Sequence, residues 1–257
     1  MSWIEPVSTM VTAASLAKDF IQCANTLKTR ARRVSYRVKN GTAKIPVFGA
    51  GGVGKSTVAR ILLGKNPLDS SLSYDESWSV ESIEFKGDVP GYLLVAPGQI
   101  ARANRHWPMI LAQVANGKCF GVINVVSYGY HDFMLHSYTE HDLCQPGMSP
   151  RDFCQLYIDQ RRKIEIDMLK RIIHGLSSLR KPLWFLTIVN KQDLWWNHHS
   201  AVRKHYAEGD YTKILDEFGA SVGERNFQHE IVPVSFALGN WVTKNGELLA
   251  PTVSGYD

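Results

Sequence analysis

Residues 49–56 read Gly-Ala-Gly-Gly-Val-Gly-Lys-Ser, between an apolar run at 44–48 and an amphipathic run at 55–63. An octet of this form, leaving a strand and opening a helix, commits the chain to a β–loop–α unit. Glycines let the backbone turn tightly and aim successive N–H groups at phosphate oxygens, and the new helix adds its positive end. Lys55 is expected to reach the β and γ phosphates and Ser56 to ligate Mg2+. Gly49, Gly51, Gly52, Val53, Gly54 and Thr57 complete the expected cradle.

A second motif, Asn190-Lys191-Gln192-Asp193, follows the apolar run at 183–189. That is the carboxyl end of a strand, where open α/β sheets bind ligands. A carboxylate only accepts, so Asp193 suits the two donors on the N1 and N2 edge of guanine, a pair adenine lacks. The Lys191 stem can lie over a purine face, and Asn190 can tie the base region to the phosphate loop.

Strands are expected at 44–48, 81–86, 92–95, 120–126, 183–189 and 230–234, and helices at 8–33, 55–63, 106–116, 152–176 and 211–218. The alternation implies an α/β fold with a largely parallel sheet and helices on both faces. The chain divides into a basic N-terminal helix and linker (1–40), a nucleotide-binding domain (41–240) with an irregular insert at 127–151, and a C-terminal extension (241–257). Trp241-Val242 and Leu248-Leu249 flank Asn245-Gly246, which reads as a hairpin. The preferred reading of this ending is that further sequence lies downstream.

Residues 1–68 hold eleven Lys/Arg against Glu5 and Asp19, so the overall charge of +5 is concentrated at one end. Such a basic run suits membrane, RNA or a protein partner, although a solvated helix end is the plainer expectation. No run has the roughly 18 uninterrupted apolar residues of a spanning helix. The first residues carry no basic leader, and the four cysteines have no disulfide spacing, so a reducing cytoplasm is the expected location. His136, His141, Cys144 and Cys154 match no standard zinc spacing and are expected to be packed or surface groups. Tyr128, Tyr130, Phe133 and Tyr138 make the insert a candidate contact surface, with a satellite core the plainer expectation. Leu156, Ile164, Ile166, Met168, Leu169, Ile172 and Ile173 are expected to form the packed face of the long helix.

With both motifs in order, the chain resembles a Ras/Arf-type small GTPase of the translation-factor-related class over about residues 44–240. The resemblance implies a three-layer phosphate-loop NTPase domain, GTP and GDP as ligands with Mg2+, and a protein effector or activating partner. It implies that Ser235 and Phe236, in Pro233-Val234-Ser235-Phe236-Ala237, form the last base-contacting loop. It also implies that Val95-Ala96-Pro97-Gly98-Gln99 is the second switch, with Gly98 binding the γ-phosphate and Gln99 orienting the attacking water. Lys55 and Gln99 are the implied catalytic residues. The family's aspartate at the head of that switch is Val95 here, and the first switch has no threonine, which nominates Ser77 as a second Mg2+ ligand beside Ser56. Arg102 and Arg105 could act as an internal arginine finger, with surface or partner contact the plainer expectation. The expected function is a nucleotide switch that hydrolyses GTP slowly or with a partner. A pseudo-GTPase scaffold and an ATP-using phosphate-loop protein are the alternatives.

Overall fold

The computed structural model describes residues 43–62, 64, 80–85 and 91–253. The expected N-terminal helix, its basic run and Ser77 lie outside the described residues. A six-stranded sheet runs in the order β2-β3-β1-β4-β5-β6. Its strands are β1 (Ala43–Phe48), β2 (Glu81–Phe85), β3 (Gly91–Val95), β4 (Gly121–Val126), β5 (Leu183–Val189) and β6 (Phe227–Pro233). All neighbours pair in parallel except β2, which pairs antiparallel with β3. Every residue of β4 is buried, as a central parallel strand requires.

The helices are α1 (Lys55–Leu62), α2 (Ile100–Ala115), α3 (Pro150–Gly175), α4 (Gln192–Trp195), α5 (His199–Ala207) and α6 (Asp210–Val222). Crossovers in parallel sheets are right-handed. From β1 the chain moves one way to β3 and then back across to β4, so α1 covers one face and α2, α3 and α6 cover the other. Contacts agree: α1 packs on β1 and β3, α2 on α3, and α3 on α6. The fold is α/β, with helices on both faces of a mostly parallel sheet. Order reverses at β1, and the crevice at its carboxyl end receives the Gly49–Ser56 loop.

Several expected boundaries need correction. Helix α2 starts at Ile100, not near 106, and runs through Pro108. Its buried stripe (Ala103, Trp107, Ile110, Leu111, Val114) begins before the proline, and burial along that stripe outweighs one missing hydrogen bond. Helix α3 starts at Pro150 rather than 152, because Ser149 accepts from the Asp152 N–H and a proline is tolerated in the first turn. Strand β6 begins at Phe227, three residues before the expected 230, and pairs with β5 along its whole length. Helices α4 and α5 were not expected; Val202 and Tyr206 bury the inner face of α5.

On α3, Leu156 is exposed rather than packed, since Phe153, Cys154, Tyr157 and Ile158 take the inward positions. Tyr128, Tyr130 and Phe133 belong to the main core rather than a satellite, and Tyr138 packs against it. The expected hairpin forms as β7 (Trp241–Val242) and β8 (Leu248–Ala250). It packs on the insert: Trp241 Nε1 donates to the His131 carbonyl at 2.9 Å and the Lys244 amide to the Leu135 carbonyl at 3.0 Å. No helix of the described residues is long and apolar enough to cross a membrane.

Candidate functional site

Both motifs meet at the carboxyl ends of β1 and β5. Asn190 is buried, and its Nδ2 donates to the Val53 carbonyl at 2.9 Å, joining the tetrad to the middle of the phosphate loop. Gly54, at φ 92°, leaves no room for a side chain, because an added Cβ would strike that Asn190 amide. The tetrad is held in turn by Trp195, which is fully buried and donates its Nε1 to the Asn190 carbonyl at 2.8 Å.

Lys55 opens α1 and is 8% exposed, with Nζ donating to the Ala50 carbonyl at 2.8 Å. Burial lowers its pKa to about 8, against the pull of the Glu81 and Asp132 carboxylates, which favour the charged form. A bound phosphate would favour that form further. Gly98 lies against this group: the Gly51 amide donates to its carbonyl at 3.1 Å, and a Cβ on Gly98 would collide with Lys55 Nζ. The expected second switch therefore touches the phosphate loop. Trp107, which the sequence did not single out, pins it from below. Its Nε1 donates to the Pro97 carbonyl at 3.0 Å while its ring meets Phe48 edge-on at 4.9 Å. Gln99 is half-buried at the N-cap of α2, and its side chain does not cap the helix. Arg102 sits half-buried in the first turn of α2, and Arg105 is exposed.

At the other end of the tetrad, Asp193 is 1% exposed, and burial raises its pKa against donors from Ser235 and Gly239. One carboxylate oxygen accepts from Ser235 Oγ and the other from the Gly239 amide at 3.3 Å. A carboxylate has about four acceptor sites, so these two bonds leave capacity for two more donors. The Gln192 amide donates to the Val234 carbonyl at 3.1 Å, which brings the loop carrying Ser235 and Phe236 beside the tetrad. Lys191 has a left-handed backbone (φ 60°, ψ 39°). Such a conformation in a non-glycine residue costs about 1–3 kcal/mol and clusters at functional sites.

Lys191 does not lie unengaged over the crevice. Its Nζ pairs with Asp132 Oδ1 at 2.6 Å, and the Asp132 amide donates to the Gly52 carbonyl at 3.0 Å. One residue of the insert thus links Lys191 of the tetrad to the Gly49–Ser56 loop, a role no motif announces. Its strap, residues 127–133, is anchored on Glu165 of α3, a 1% exposed carboxylate. Glu165 Oε1 accepts from the Ser127 amide (2.9 Å), the Gly129 amide (3.3 Å) and His131 Nε2 (2.9 Å). Its Oε2 accepts from Tyr206 Oη at 2.6 Å, and Tyr206 Oη accepts from the Tyr128 amide at 2.9 Å. Burial alone would raise the Glu165 carboxyl, but donors from His131, Tyr206 and Ser127 outweigh it and hold it below its usual range. Burial lowers the His131 pKa despite the pairing with Glu165.

For Mg2+, a hard cation that takes oxygen ligands, Ser56 provides a half-buried hydroxyl in the first turn of α1. Val95 is buried and apolar and provides nothing. Oxygen donors at the loop therefore fit the ion, with the carboxylate of the second switch missing. At the insert, His136 Nδ1 bonds Asn245 Oδ1 at 3.1 Å, His141 stacks among Phe133, Phe153 and Tyr157, and Cys154 Sγ donates to the Leu249 carbonyl at 3.5 Å. Among the described residues no three His, Cys, Asp or Glu are grouped to hold a metal.

No protein-family model matches the chain, and no curated protein matches it. Among solved structures it is similar to a GTP-binding protein from the hyperthermophilic archaeon Sulfolobus solfataricus, determined in complex with GDP. That likeness has a TM-score of 0.35 and 14% identity, covers 87% of this chain and spans 60% of the other's length. It is also similar to the mammalian SRP receptor, with a TM-score of 0.41 and 12% identity over 75% of this chain and 89% of that one.

Proposed function

We propose that this chain is a guanine-nucleotide switch that binds GTP and GDP with Mg2+ and hydrolyses GTP slowly or with a protein partner. The observation that carries the reading is the 2.9 Å bond from Asn190 to the Val53 carbonyl. It sets a phosphate cradle and an acidic base reader against one crevice. The cradle amides and Lys55 hold the phosphates, Asp193 accepts from the base, and Gln99 orients the attacking water. Ser56 is the ligand offered to Mg2+, which when bound neutralises phosphate charge.

Purified protein supplied with GTP and Mg2+ tests the enzyme reading. Phosphate release should exceed that of Lys55→Ala, and equal release from both, with candidate partners present, would overturn turnover while leaving binding intact. The second reading, a pseudo-GTPase that binds without turnover, is favoured by Val95 alone. An ATP-using protein would instead show equal displacement of bound guanine nucleotide by ATP.

Asp132→Ala should speed release of N-methylanthraniloyl-GDP. The Lys191–Asp132 pair is partly screened, with the Asp132 side chain 43% exposed. Its loss is therefore expected to cost about 1 kcal/mol, roughly five-fold in off-rate. Stopped-flow fluorescence reads the rate, and an unchanged rate would show that the bridge to the insert does not hold the nucleotide.

A further inference from the structure

The second switch lacks its carboxylate at Val95, but the strand beside it carries one. Antiparallel register sets Glu81, the first residue of β2, directly opposite Val95, the last residue of β3. Opposed residues project to one face with Cβ atoms about 4.5–5.5 Å apart. Which face is settled on β1. Phe48 meets Trp107 of α2 edge-on, so Val47, its neighbour by alternation, faces the other side, the side α1 covers. Val47 is the parallel-register partner of Val95. Val95 and Glu81 therefore face α1, at the end of the sheet where α1 begins with Lys55 and Ser56.

We propose that Glu81 supplies, from β2, the carboxylate that helps Ser56 hold Mg2+ at the nucleotide site, in place of the one missing at Val95. The inference rests on the guanine-nucleotide reading above. Mg2+ keeps several of its waters and is bound through one or two carboxylates, so a single acid beside the phosphates meets its needs.

The test uses the full chain with N-methylanthraniloyl-GDP and Mg2+ titrated against EDTA. Binding of Mn2+ to the GDP complex, followed by electron paramagnetic resonance, is a readout independent of turnover. Glu81→Gln is isosteric, and an unchanged melting temperature checks its fold. It should raise the Mg2+ concentration that slows nucleotide release, and the Kd for Mn2+, by about 10–100-fold, the usual cost of losing a supporting metal partner. Glu81→Asp, which keeps the carboxylate, should recover most of that loss. If Glu81→Gln overlays the wild type in both titrations, or if nucleotide release from the wild type ignores Mg2+, the assignment to Glu81 is overturned and nucleotide binding stands. Should the wild type retain no nucleotide with or without metal, the guanine-nucleotide reading fails and this inference with it.

Discussion

Glu165→Ala is expected to destabilise the protein by about 3–5 kcal/mol, the usual cost of breaking a buried charged network by removing one partner. Three donors in the insert (two amides and His131) and the Tyr206 hydroxyl all converge on this carboxylate. Without it they stay buried with no acceptor, each costing about 1–3 kcal/mol where neither relaxation nor water relieves it. At about 2–4 °C per kcal/mol for a domain of this size, the melting temperature should fall by roughly 6–20 °C. Calorimetry checks this, and a fall of under 2 °C would show that the network contributes little. Glu165→Gln should cost less, since its amide oxygen still accepts.

The same hub predicts acid sensitivity. Burial lowers the His131 pKa, and the donors around Glu165 hold its carboxyl low despite burial, so for both groups the folded pKa lies below the unfolded one. Each then contributes stability above its unfolded pKa and loses it as pH falls toward the folded value. Loss should begin below the ordinary histidine value of 6.5 and deepen below the ordinary carboxylate value of 4.5. Melting temperatures measured from pH 8 to pH 4, an interval chosen to bracket both ordinary values, should decline over these two ranges, about 6.5 to 5 and then below 4.5. The decline should be weaker in His131→Asn over the first.

Asp193→Asn is expected to weaken guanine-nucleotide binding by about 2–4 kcal/mol, or roughly 30–1000-fold in Kd, with little change for ATP. The substitution sets an amide donor against two donors of the base in a site that is 1% exposed. It also leaves one amide oxygen to accept where two carboxylate oxygens took Ser235 Oγ and the Gly239 amide. Competition of GDP and ATP for labelled nucleotide measures both. Equal losses for the two would point to a disturbed pocket rather than a base reader.

The octet and the tetrad were legible because each needs particular residue types at fixed spacing, and the strands before them are apolar runs. The extent of α2 was not, since Pro108 signals a boundary locally and only the stripe from Ala103 to Val114 shows that burial overrides it. Helices α4 and α5 were missed because the inward side chains that stabilise them find their core only across the fold. Glu165 left a faint trace: it precedes Met168, Leu169 and Ile172 by three, four and seven residues on an otherwise apolar face. An acid there signals a buried partner set but does not say which. Asp132 left none, because its contacts with Gly52 and Lys191 span 80 and 59 positions.

Sequence alone determined the α/β class and the local form of the Gly49–Ser56 loop, because glycine conformation and helix polarity act over a few neighbouring residues. Tertiary structure decided what surrounds them. Strand register set Glu81 opposite Val95, and the buried carboxylate of Glu165 drew the 127–133 strap over the site. Sheet pairing and desolvation join residues far apart in the chain, so neither placement is written in any local pattern.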